Sequence, residues 1–191
     1  MALALTACTG RGGGQLPPVG LAFTGPATFG FDFSCEDNSP LAGPRGQLRI
    51  QLSYTDHGRN PIGTPFSIHG IVDRIDPVLE SQLCIGQNPP YPDPKVLTFF
   101  GRYRLTSGAP ADFPSTCPAR ETETTPLCRF EVEVRDNDSD GAPSAGDYFS
   151  IKLTTVTTPC TSYPPAPTCS VLPAGFYARA GLLSSGNIRV E

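Results

Sequence analysis

The sequence predicts an all-β protein, an antiparallel β-sandwich of about seven to eight strands with long disulfide-tied loops. Three observations carry that expectation. The 191 residues include 20 glycines and 22 prolines, and proline spread this densely interrupts helices, which argues against a helix bundle or a doubly wound α/β sheet. Segment after segment alternates apolar and polar residues with period two, the mark of half-buried strands. Finally, seven cysteines occur with no Cys-x-x-Cys pair, and six of them suit three disulfides in an oxidising compartment.

The elements follow in chain order. Residues 1–26 read as an export-signal-like segment and a flexible Gly/Pro-rich lead-in, and residues 27–191 as a single domain. Gly10 to Gly14 is not followed by a helical pattern, so it reads as linker and not as a phosphate cradle. Ala27 to Phe33 alternates around Phe29, Phe31 and Phe33. Gln47 to Thr55 is the clearest strand, with Leu48, Ile50, Leu52 and Tyr54 on one face and polar residues on the other. Phe66, Ile68, Gly70 and Val72 repeat the pattern, and Lys95 to Leu105 follows the proline-laden stretch 88–94. Phe130, Val132 and Val134 form an inward row, with Arg129, Glu131, Glu133 and Arg135 outward. Phe149, Ile151 and Leu153, then Phe176 to Leu183 and Asn187 to Val190, complete the set. Short strands spaced in this way pack as two antiparallel sheets.

Charge and hydropathy exclude other classes. The net charge of −4 leaves no basic footprint for nucleic acid. No stretch approaches the twenty or so apolar residues of a membrane-spanning helix. Neither His57 nor His69 lies near a cysteine, whereas a zinc site needs closely spaced soft ligands.

Two cysteine pairs are local: Cys117–Cys128 and Cys160–Cys169 each close a loop of roughly ten residues, contributing about 2–3 kcal/mol by limiting the unfolded chain. Cys35–Cys84 then pairs by elimination. Cys8, in Leu5-Thr6-Ala7-Cys8, resembles a bacterial lipobox, in which the cysteine is lipidated and anchors the mature chain. The apolar stretch before it is short for a signal peptide, so this reading needs a start internal to a longer signal; otherwise Cys8 is a free or signal-region cysteine. Either way the protein is expected to be exported, to the periplasm, the cell surface or the medium.

A set of motifs in fixed order carries a family resemblance. They are Gly12-Gly13-Gly14, Ala27-Thr28-Phe29-Gly30-Phe31, Gly46-Gln47-Leu48 with Tyr54-Thr55-Asp56, and Phe130-x-Val132-x-Val134-x-Asp136-Asn137. Asp147-x-Phe149-x-Ile151 and Gly181-x-Leu183-x-x-Gly186-Asn187-Ile188 close the series. Together they resemble exported bacterial post-anchor domains, of the post-choice-of-anchor type. The resemblance implies a β-sandwich surface or accessory module without catalytic residues. Added here are six cysteines and proline-rich inserts near 84–95, 107–127 and 158–173.

One motif carries ion chemistry. Asp136-Asn-Asp138-Ser-Asp140-Gly141-Ala142 with Asp147 at the twelfth position matches the D-x-D-x-D-G spacing of a calcium loop. Calcium takes six to eight hard oxygens, which alternate acids on a tight turn can supply together with the Ala142 carbonyl. The flanks are strands, so a bound Ca2+ would be structural, pinning a hairpin. The alternative is a solvated turn.

Hydrolase chemistry finds little support. Asp56-His57 and Ser67-x-His69 lack a G-x-S-x-G elbow, and Glu131 and Glu133, which share one strand face with Arg129 and Arg135, read as cross-strand charge pairing. The expected function is therefore a noncatalytic surface or accessory module for adhesion, spacing or interaction, meeting a surface protein or glycan through its loops. The alternative is a carbohydrate-binding or hydrolytic domain on the same scaffold, marked by exposed Tyr91, Tyr103, Tyr163 or Tyr177.

Overall fold

The computed structural model describes residues 7–36, 47–71, 95–108, 110, 112–115, 117, 128–137, 146–155 and 175–191. Nine strands occur among them: β1 (Ala7–Leu16), β2 (Ala27–Glu36), β3 (Gln47–Asp56), β4 (Phe66–Ile71), β5 (Lys95–Ser107), β6 (Cys128–Asp136), β7 (Tyr148–Leu153), β8 (Tyr177–Leu182) and β9 (Ser185–Val190). The described residues include no helix, and so none long and apolar enough to cross a membrane.

All nine belong to one antiparallel sheet in the order β8-β7-β6-β5-β4-β3-β2-β1-β9. Two stacked sheets were expected. The structure instead has a single meander that curls into a half-barrel and faces itself. The rings of Phe29 on β2 and Phe149 on β7 stack with centroids 3.7 Å apart, although four strands lie between them in the sheet. Phe33, Phe66, Phe99, Phe130, Leu97, Val132 and Ile151 fill the space around this pair. The inward rows read from the sequence on β2, β3, β6 and β7 are the rows that build this core.

The two edges of the sheet are consecutive in the chain. Strands β1 to β8 alternate in direction and β9 is antiparallel to β1, so β8 and β9 run the same way, separated by Leu183 and Ser184 alone. The stretch from Tyr177 to Val190 thus bonds to β7 with its first half and to β1 with its second. Ser184 N–H donates to the Gln15 carbonyl (2.8 Å) and Leu183 N–H to the Asp147 carbonyl (2.9 Å) at the crossover. A strand that changes partners at a bend is how curled sheets turn corners.

Two expectations are corrected here. The segment read as a flexible lead-in contains β1, which is paired on both sides, with β2 and β9. Its glycines obscured it: a Cβ on Gly12 would lie 2.5 Å from the Asn187 carbonyl oxygen and 2.9 Å from Ile188 Cα. One on Gly10 would lie 2.4 Å from Leu97 Cδ2. Glycine is what lets the neighbouring strand and the core close over β1. Arg129, expected outward, is buried at 3% exposure, while Glu131 does pair across the sheet with Lys152 at 3.1 Å.

Candidate functional site

Strand polarity gives the sheet two ends. The C-terminal ends of β1, β3, β5 and β7 lie at one, and those of β2, β4 and β6 at the other. Each end contains a buried carboxylate constellation.

At the first end β3 finishes on Asp56, in the same alternating row as Ile50, Leu52 and Tyr54, so the fold directs its side chain inward. Its Oδ2 accepts the Tyr177 hydroxyl (2.7 Å) and lies 3.1 Å from Arg179 Nη1. Its Oδ1 accepts the Gly58 N–H (3.2 Å). The Tyr54 and Tyr177 hydroxyls share a hydrogen bond. Burial pushes both phenols well above their ordinary range, so each remains a neutral hydroxyl. Arg179, 1% exposed, sends Nη2 to the carbonyls of Pro17 and Gly25, both at 2.8 Å, and its guanidinium lies 4.8 Å from the Phe23 ring centroid. Among the described residues Arg179 Nε and Nη1 find no hydrogen-bond partner, so the ion pair and the two Nη2 bonds hold this buried charge as a structural joint.

At the other end lie the acids of the calcium motif. Asp136 Oδ2 accepts the Val190 N–H (3.1 Å), and Asp147 Oδ2 accepts the Ile188 N–H (2.7 Å). Asp147 Oδ1 accepts the Asn137 N–H (3.1 Å), and the Asn137 amide reaches the Gly146 carbonyl. On β9 the odd-numbered residues face β1, as the Thr9–Glu191 pair shows. Ile188 and Val190 therefore point their amides to the other side, where no strand follows among the described residues, and the two carboxylates take that strand's place. Asp138, Asp140 and Ala142 lie outside the described residues, so the loop's remaining ligands are not placed. The described residues contain no group of three or more His, Cys, Asp or Glu able to hold a metal ion.

Of the disulfides, Cys117–Cys128 is present with Cα atoms 5.2 Å apart. Beside it the Tyr103 hydroxyl, 3.5 Å from Cys117 Sγ, donates to the Thr154 carbonyl (3.0 Å). Cys84, Cys160 and Cys169 lie outside the described residues. The backbone register sets Cys8 directly opposite Cys35 on β1 and β2.

The hydrolase residues are dispersed. Asp56 is turned inward while His57 is exposed, its Nε2 2.8 Å from Thr28 Oγ1. The Ser67 hydroxyl pairs with Thr55 (2.9 Å). His69 borders a shallow outer-face depression of about 250 Å3 with Gly30, Asp32, Gln51 and Ser53. Of the tyrosines expected to mark a sugar cleft, Tyr103 and Tyr177 are buried core residues, each 1% exposed, and Tyr91 and Tyr163 lie outside the described residues.

Sequence reasoning missed the Asp56–Arg179 joint. Its signal was there: a charged residue on the inward parity of a strand, twice, at Asp56 and at Arg179 between Tyr177 and Gly181. Comparison with protein-family models, curated proteins and solved structures finds no match to this chain.

Proposed function

We propose that this chain is a noncatalytic exported module that makes its contacts from the outside of the curled sheet. The observation that carries this reading is the filled interior. Phe29, Phe99, Phe130, Phe149, Tyr54 and Tyr177 occupy the space in which other curled sheets hold a small ligand. Recognition then falls to the loops and the outer face. The Cys117–Cys128 disulfide supports an oxidising compartment, and the post-anchor resemblance supports a surface or accessory role. A structural Ca2+ on the 136–147 loop is part of the same proposal, and Cys8 is either lipidated or, as its place opposite Cys35 allows, disulfide-bonded.

Fractionation of the native producing cells, followed by a non-reducing tryptic map, tests it. An exported, disulfide-bonded pool is the expected result; a cytosolic, fully reduced pool overturns the reading. The same map decides the partner of Cys35. Peptide 12–45 joined to 1–11 reports Cys8–Cys35, which the β1–β2 register favours and which excludes lipid on Cys8. The same peptide joined to 75–95 reports Cys35–Cys84.

A further inference from the structure

The β1–β2 connection projects an apolar finger. From Leu16 to Phe23 the chain reads Leu-Pro-Pro-Val-Gly-Leu-Ala-Phe, without one polar side chain, and residues 17–22 are all exposed. Leu21 is 95% and Val19 50% exposed, two of the three large apolar side chains left in water among the described residues. An apolar tip of this kind on a protein surface marks an interaction site.

The finger is also rigid. Val19 and Phe23 exchange both backbone hydrogen bonds (2.9 and 3.2 Å) across the tip, and Gly20 takes the positive φ (55°) the turn requires. Its two stems are tied together from below, since the one guanidinium of Arg179 bonds the carbonyls of Pro17 and Gly25. Phe23 packs edge-on against Tyr177, with ring centroids 6.0 Å apart. The Asp56–Arg179 joint therefore presents an exposed apolar tip in one conformation, which lowers the entropy cost of binding.

We infer that this finger docks on an anionic lipid surface, with Leu21 and Val19 entering the headgroup–acyl boundary. Three features select that partner. The finger is convex, so it enters a surface and does not receive a ligand. Pro17 and Pro18 have no N–H and Val19 and Phe23 satisfy each other, which leaves the amides of residues 20–22 to be met by water and headgroups at the hydrated headgroup level. The adjoining β3–β4 loop is bonded to the finger's stem through Thr24–Arg59 and His57–Pro26 backbone contacts. It presents exposed His57 and Arg59, while the neighbouring acid, Asp56, is buried against Arg179. Apolar insertion beside a cation is the combination that holds proteins at anionic interfaces. A single finger gives weak, reversible attachment.

This inference rests on the reading of the chain as a contact module, but its test uses purified full-length protein, so its failure leaves the export experiment untouched. The test is co-sedimentation with vesicles of phosphatidylglycerol in phosphatidylcholine, against phosphatidylcholine alone. Wild type is expected to partition onto the anionic vesicles. Leu21→Asp should reduce the partition coefficient about tenfold or more, and Arg59→Ala roughly fivefold. Both sites are exposed, and an unchanged Tm verifies folding. The inference is overturned if wild type sediments with neither vesicle, or if Leu21→Asp binds as wild type does. It is equally overturned if the tip captures a soluble or surface protein while ignoring lipid.

Discussion

The two ends of the sheet each bury carboxylates, and they use them differently. At the finger end, Asp56 meets a guanidinium, and the pair locates a loop by reaching two carbonyls eight residues apart in sequence. At the seam, Asp136 and Asp147 meet backbone N–H groups, and they replace the strand that β9 lacks. The first arrangement presents a surface; the second closes a fold. A buried acid is therefore a poor guide to chemistry until its partner is known.

Breaking each end separately tests the contrast. Arg179→Met leaves Asp56 buried without its counter-ion and should cost about 3–5 kcal/mol, read from urea denaturation, with faster amide exchange at Val19 and Phe23. Asp147→Ala strands the amides of Asn137 and Ile188. A bond to a charged acceptor contributes about 1.5–3 kcal/mol; the buried Ile188 amide loses its partner outright while exposed Asn137 can turn to water, so we expect a loss of roughly 2–4 kcal/mol, with exchange rising at Ile188. This loss should persist in chelator, because its donors are backbone amides. A calcium-dependent rise in Tm that Asp138→Asn or Asp140→Asn abolishes is instead the signature of a bound ion. Should Asp147→Ala loosen the finger, or Arg179→Met the seam, the two ends are not separate devices.

A smaller effect concerns alkali. Burial raises the phenols of Tyr54, Tyr103 and Tyr177. A group raised in the folded state contributes stability that is complete below its unfolded pKa, about 10 for tyrosine, and is lost as pH climbs beyond it. Ultraviolet titration should therefore show these three of the six tyrosines ionising in one step that coincides with unfolding. Gradual ionisation of a folded chain would mean the core is open to water.

Much of this fold was legible. Strands β2, β3, β6 and β7 announce themselves because Phe29, Leu52, Val132 and Ile151 sit in clean alternation. Strand β1 did not, since its inward positions are Gly10, Gly12 and Gly14, and a strand defined by missing side chains has no hydrophobic period. The single curled sheet was beyond pattern reading as well, because alternation states which face is buried but not which strand lies beside which. Asp136 and Asp147 were singled out by spacing. Apart from the local Asn137 N–H on Asp147, the partners described above are the amides of Ile188 and Val190 on β9, 41 and 54 residues away, contacts that the crossover at Leu183–Ser184 creates.

The chain contains no tryptophan, so Leu21→Trp places a single reporter at the finger tip. Emission on anionic vesicles tests the central claim, that a packed scaffold holds an apolar tip outward to meet a lipid surface. The account predicts a blue shift and quenching by brominated acyl chains, both reduced when Arg179→Met is added. Emission that stays water-like at saturating lipid would contradict it.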